Sequence, residues 1–126
     1  MHALFLVSSA LSALMHVGFF VLESVLFTKA PGRKIFETTA ADAETMKFLA
    51  FNQGFYNLFL ALGVVAGVAF SILGDARVGR TLVAFACACM VGAACILATG
   101  GKRYFRGVAA QALPPLAALG ALVAGG

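Results

Sequence analysis

Charge is what this chain has least of. Of 126 residues only nine are Lys or Arg and five are Asp or Glu, 11% in all, against 62% hydrophobic. An ordinary soluble domain is about 25% charged and about 45–50% apolar. At this length the chain lacks the polar surface to cover a core in water. A soluble globular enzyme is therefore excluded. So is a disordered chain, which needs high charge and low hydrophobicity. No nucleic acid is expected as a partner, because the nine bases lie in short loops rather than along a stripe. What remains is an integral membrane protein whose first partner is the lipid bilayer.

Cysteine, tryptophan and metal-binding side chains are scarce as well. There are three cysteines and no Trp. Cys87, Cys89 and Cys95 fall in one apolar stretch, an odd number outside any disulfide framework. On a helix, positions 87 and 89 point roughly 200° apart, so they cannot grip one ion as a zinc hairpin does. They read as small apolar filler beside Ala86, Ala88, Gly92, Ala93 and Ala94. One His and one Glu inside the spans are too few ligands for a metal site. The residues name no cofactor.

What the sequence has in abundance is long apolar runs. Four of them read as transmembrane helices, from about Ala3 to Phe27, Phe48 to Leu73, Thr81 to Thr99 and Val108 to Val123. The first is a retained helix rather than a cleaved signal: it lacks a charged leader, is too long, and carries Glu23 near its end. Thr39, with Asp42 three residues on, marks a helix start, so the second helix begins near Ala40 and emerges from the membrane. Pro31-Gly32 signals a turn in the first connection. Gly63 and Gly67, like the small residues of the third helix, offer a surface on which backbones approach closely. Open sheet edges cannot face lipid. The expected fold is therefore all-α, a four-helix transmembrane bundle of up-down-up-down order in a single domain spanning residues 1–126.

The loops suggest an orientation. Lys29, Arg33, Lys34 and Lys47 stand in the first connection and Lys102, Arg103 and Arg106 in the third, while the second holds only Arg77 and Arg80. The positive-inside rule places the first and third connections in the cytoplasm and both termini outside.

Polar groups inside a membrane helix are costly and face the interior or water. The first helix carries Ser9, Ser12, His16 and Glu23 at spacings of three, four and seven, which fall within an arc of about 60°. The second carries Asn52, Gln53, Tyr56 and Asn57, with Gly54 among them to admit a close neighbour. Each amide offers donors and an acceptor that hydrocarbon leaves unpaired. The fourth helix adds Gln111, ahead of Pro114 and Pro115, which weaken its hydrogen bonding. The topology puts Glu23, Asn52, Gln53, Tyr56, Asn57 and Gln111 at one depth, with His16 deeper. This layer is the expected ligand site, with Glu23 and His16 as acid/base candidates and Lys29, Arg33 or Lys34 as partners for Glu23.

The span from His16 to Glu23, the run Asn52-Gln53-Gly54-Phe55-Tyr56-Asn57, and Gln111 followed by Pro114 together resemble a family of small bacterial four-helix membrane proteins. That family is a domain of unknown function, labelled an epimerase in some genomes, and is distantly similar to the DoxX-like group. The resemblance implies fold and a place in the bacterial inner membrane, and no reaction. Three functions are compatible with these residues. The first is a pocket for a small lipophilic ligand such as a quinone, isoprenoid or lipid. The second is an accessory subunit, self-associating as a homo-oligomer or paired with other helices, whose polar layer only specifies packing. The third is a proton-coupled transporter, although Glu23 near a helix end and the lack of Trp set the chain apart from small four-helix exporters.

Overall fold

A computed structural model describes residues 2–125. All regular structure in them is helical. Helix α1 spans His2–Phe20 and runs on into one wide π-type turn, Val21–Val25. Helix α2 is Ala30–Phe36, α3 is Ala40–Leu73, α4 is Ala76–Ala98 and α5 is Phe105–Ala124, the last entered through a 3₁₀ turn at Lys102–Tyr104. Four of these stretches, His2–Val25, Ala40–Leu73, Ala76–Ala98 and Lys102–Ala124, are long and apolar enough to cross a membrane. The all-α, four-helix, up-down-up-down bundle read from the apolar runs is the observed architecture.

The boundaries differ where a local hydrogen bond extends a helix. Helix α3 starts as the sequence predicts: the Asp42 amide donates to Thr39 Oγ1 at 3.1 Å, and the Thr39 hydroxyl returns a bond to Asp42 Oδ2 at 2.7 Å. Its 34 residues reach about 50 Å, longer than a hydrocarbon core of about 30 Å. Asp42, Glu44 and Lys47 are all in its first eight residues. Helix α4 starts at Ala76, five residues before the expected Thr81. Asp75 Oδ1 accepts from the amides of Arg77 and Val78 at 2.8 and 3.2 Å and caps the extra turn. The expected turn at Pro31-Gly32 lies instead inside α2. Pro31 sits in the first turn of that helix, where a fixed φ and a missing N–H cost nothing. Gly32 lets α2 lie on the Leu26–Phe27 backbone, since a Cβ there would come 2.6 Å from the Leu26 carbonyl carbon. Glu37, left-handed at φ 51°, ends the helix.

The chain forms two compact units. One holds the residues up to Met15 and from Leu60 onward. All four long helices enter it, and its core contains Phe5, Ala13, Ala61, Val64, Val83, Cys87, Met90, Ala118 and Ala121. Between apolar helices in lipid there is no hydrophobic drive to associate, so close van der Waals packing has to hold them. Glycine provides it at Gly67 and Gly79. A Cβ on Gly79 would lie 2.5 Å from the Gly67 carbonyl oxygen, and one on Gly67 would lie 2.8 Å from that of Gly79. The second unit, His16–Phe59, contains the end of α1, the π turn, α2 and the first half of α3.

A candidate ligand cleft at the Glu23 turn

The polar stripe of α1 is buried. Ser9, Ser12 and His16 are each 0% exposed, and Ser8, which the sequence reading passed over, is 3% exposed. A serine inside an apolar helix can bond to a backbone carbonyl one turn earlier, as Ser8 and Ser12 do. Ser8 donates to the Leu4 carbonyl at 2.6 Å and Ser12 to that of Ser8 at 2.7 Å. The four-residue spacing of Ser8 and Ser12 is the signal that marks Ser8 as part of the stripe. His16 meets the Phe19 ring edge-on at 5.4 Å.

Glu23 departs from this pattern. It rides on the π turn, which closes through an i→i+5 bond from the Leu26 amide to the Val21 carbonyl at 2.9 Å. Such wide turns occur mostly as single interruptions of α-helices, frequently at functional sites. The half-buried carboxylate accepts a 2.7 Å hydrogen bond from Asn57 Nδ2, which also donates to the Gln53 carbonyl at 3.3 Å. One residue on, Ser24 Oγ donates to the Phe51 carbonyl at 2.9 Å. Gly54 makes this approach possible. A Cβ there would overlap Ser24 Oγ and lie 3.1 Å from the Phe20 carbonyl oxygen. The close neighbour that Gly54 admits is thus the π turn itself.

Aromatic rings surround this contact. Phe55 meets Phe20 edge-on at 5.1 Å and lies 4.9 Å from Phe51 and 6.1 Å from Phe59. Beside them opens a cleft of about 310 Å³, lined by Glu23, Ser24, Phe27, Lys47, Phe48 and Phe51, with Val25 and Thr28. Its walls are mainly apolar, and its charged groups are one acid and one base. Lys47 also pairs with Glu44, a residue one turn earlier on α3. The loop bases Lys29, Arg33 and Lys34 make no ion pair with Glu23. Among the described residues Lys47–Glu44 is the one ion pair, and Asn57 is the hydrogen-bonding partner of Glu23.

The other expected site residues differ in exposure. Asn57 is 6% exposed, whereas Tyr56 is 61% exposed and Asn52 and Gln53 are also exposed. The inward side of α3 is a small-residue stripe, Gly54, Asn57, Ala61, Val64 and Gly67, at steps of three and four. Asn57 is the amide that continues that stripe, which is the sequence signal separating it from Asn52 and Gln53. His16 precedes Glu23 by seven residues, about 10 Å of helix. Gln111 lies half-buried on α5, in the other unit. Pro115 withholds the N–H that would bond its carbonyl, and Pro114 does the same for Ala110. Among the described residues no three His, Cys, Asp or Glu side chains gather to hold a metal ion. Of the residues that line the cleft, sequence reasoning assigned Glu23 alone; Ser24, Lys47 and the rings of Phe27, Phe48 and Phe51 were not assigned.

Residues 10–123 match the family DUF1304, described as a protein of unknown function. The chain belongs to this family. No curated protein and no solved structure matches it. The matched residues reach into all four long helices and include the Glu23 turn and the Asn57 stripe, and the family brings no reaction with it.

Proposed function

We propose that this DUF1304 protein is a single integral membrane domain that binds a small lipophilic molecule in the Glu23 cleft. The ligand class is a quinone, isoprenoid or lipid bearing a carbonyl or hydroxyl. The observation that carries this reading is a carboxyl group on a π turn, held by Asn57, facing an aromatic cleft of about 310 Å³. A carboxyl group in an apolar membrane segment is expensive, and such residues mark functional sites by default. Phe27, Phe48 and Phe51 supply apolar contact area, and Glu23 and Lys47 supply the few polar groups that orient a ligand. Phe48 and Phe51 are largely exposed, which suits entry from the bilayer side. Glu23 is the acid/base candidate, with His16 further along the same helix.

The seven bases of the first and third connections support a place in the bacterial inner membrane with both termini outside. Reporter fusions to the C-terminus test that orientation, and a cytoplasmic C-terminus overturns it. Mass spectrometry of the detergent-purified protein tests the ligand. A lipophilic small molecule is expected to co-purify with the wild type and to be depleted about tenfold in Glu23→Gln, which keeps the shape and the hydrogen bond to Asn57. Equal recovery from both proteins, or nothing bound to either, sinks the reading.

One set of contacts favours a second reading. The Asn57–Glu23 and Ser24–Phe51 bonds both tie the π turn to α3. They are what an accessory subunit would use to fix helix pairing. On that reading Glu23→Gln leaves every bound molecule in place.

A further inference from the structure

Another cavity lies in the other unit, among residues that take no part in the Glu23 cleft. It measures about 390 Å³ and is lined by His2, Phe5, Ser71, Ala76, Arg80 and Leu122, closed by Ala121 and Gly125. Its chemistry is the reverse of the Glu23 cleft. No Asp or Glu is among its described lining residues, and its ionisable side chains are the Arg80 guanidinium and the His2 imidazole. The first turn of α4, with its partial positive charge, enters it at Ala76. The acid nearest in sequence, Asp75, is engaged in capping the amides of Arg77 and Val78. Ser71 directs its own hydrogen to the Gly67 carbonyl at 2.9 Å. The donor set for a ligand is therefore Arg80 and His2. The rest of the wall is apolar: Phe5 is 6% and Ala121 4% exposed, and both belong to the core of this unit.

We propose that this cavity binds the headgroup of an anionic phospholipid, with Arg80 on the phosphate and the Phe5–Leu122 wall against the start of the acyl chains. Three observations converge on that chemistry. A guanidinium presents N–H donors in a fork that matches phosphate oxygens and holds them by two parallel bonds. An apolar wall next to it suits an amphiphile rather than a free ion. Arg80 also stands near the start of α4, at the end of that helix which the loop charges place outside, where the topology rule calls for few bases. This inference is independent of the ligand proposed for the Glu23 cleft.

Native mass spectrometry on the full chain, released from nanodiscs of equal parts phosphatidylglycerol and phosphatidylcholine, tests it. The wild type is expected to retain phosphatidylglycerol over phosphatidylcholine. Arg80→Gln is expected to lose about tenfold of that retention, in line with the loss of a charge-assisted contact. Glu23→Gln is expected to keep it, so the two sites fail separately. Ala76→Leu, at an exposed position that lines the cavity, is expected to block retention while preserving the fold. This keeps the test open if Arg80→Gln does not fold. Equal retention of the two lipids overturns the proposal, as does retention unchanged in both the Arg80 and Ala76 variants. Displacement by millimolar inorganic phosphate also overturns it, because the apolar wall then contributes nothing.

Discussion

The two units of this small protein hold their helices by opposite means. The larger is built on smallness: Ala61, Ala86, Ala118, Ala121, Gly67 and Gly79 bring backbones together, and Ser8 and Ser12 donate to carbonyls of their own helix. The other unit uses large rings and polar bonds between elements: Phe20, Phe51, Phe55 and Phe59, with Glu23 to Asn57 and Ser24 to Phe51. Helices α1 and α3 take part in both units, so the same helix changes its manner of packing along its length. Self-satisfied serines are a way to tolerate polarity in a membrane. A carboxyl group that needs an amide from another helix is a way to position it.

Three substitutions bear on this contrast. The largest effect belongs to Gly79→Val. Its Cβ would meet the Ser71 amide and the Gly67 carbonyl, both backbone groups that cannot rotate away. Overpacking costs about 1–3 kcal/mol and occasionally more, and a clash with backbone on two sides belongs at the upper end. Loss of the folded bundle on heating in detergent is expected, and a melting curve like the wild type's would show that small-residue packing is not what holds the larger unit. Asn57→Leu comes next. It removes the amide from Glu23 and leaves the carboxyl group without its partner, a cost of about 1–3 kcal/mol. The expected result is a lower melting temperature with helix content retained by circular dichroism. An unchanged melting temperature would mean that the Glu23–Asn57 bond contributes nothing to the unit. The smallest effect is that of Asn52→Ala with Tyr56→Phe, whose side chains are exposed. Surface substitutions stay within about 0.5 kcal/mol. A larger loss on thermal unfolding would give these two residues a contact outside the chain.

The sequence made much of this plain and hid the rest for physical reasons. The four spans follow from apolar length alone, and the Thr39 cap of α3 from a local pattern. Gly54 and Gly67 read correctly as sites of close approach, whereas Gly92 of the third helix faces open space and Gly63 makes only ordinary contact with Ala86, because a missing side chain admits a neighbour only on the side where one packs. The orientation of α3 did not read out. In a soluble helix the polar side faces water, but α3 is apolar on both sides, so its amides carry no rule for choosing the interior. Asn57 turns inward because it lies in line with Gly54, Ala61 and Val64, while Asn52, Gln53 and Tyr56 do not. Helix α2 was concealed by Pro31-Gly32, a pair that favours turns but suits the first turn of a helix as well. The π turn has no mark at all. Val21–Val25 contains neither Pro nor Gly, and the bond that ties it to α3 runs from Ser24 to a backbone carbonyl, which any residue at position 51 would present.

That turn has a consequence for how the chain can vary. A π turn is an α-helix with one residue too many, closed by i→i+5 bonding in place of i→i+4. Deleting Leu22 would let ordinary helical bonding resume with Glu23 still directly before Ser24. Every side chain upstream would then turn by about 100° relative to the carboxylate. The direction in which Glu23 points is thus encoded in the length of the chain before it. No substitution near Glu23 restores that direction once the extra residue is gone, and a single insertion brings it back.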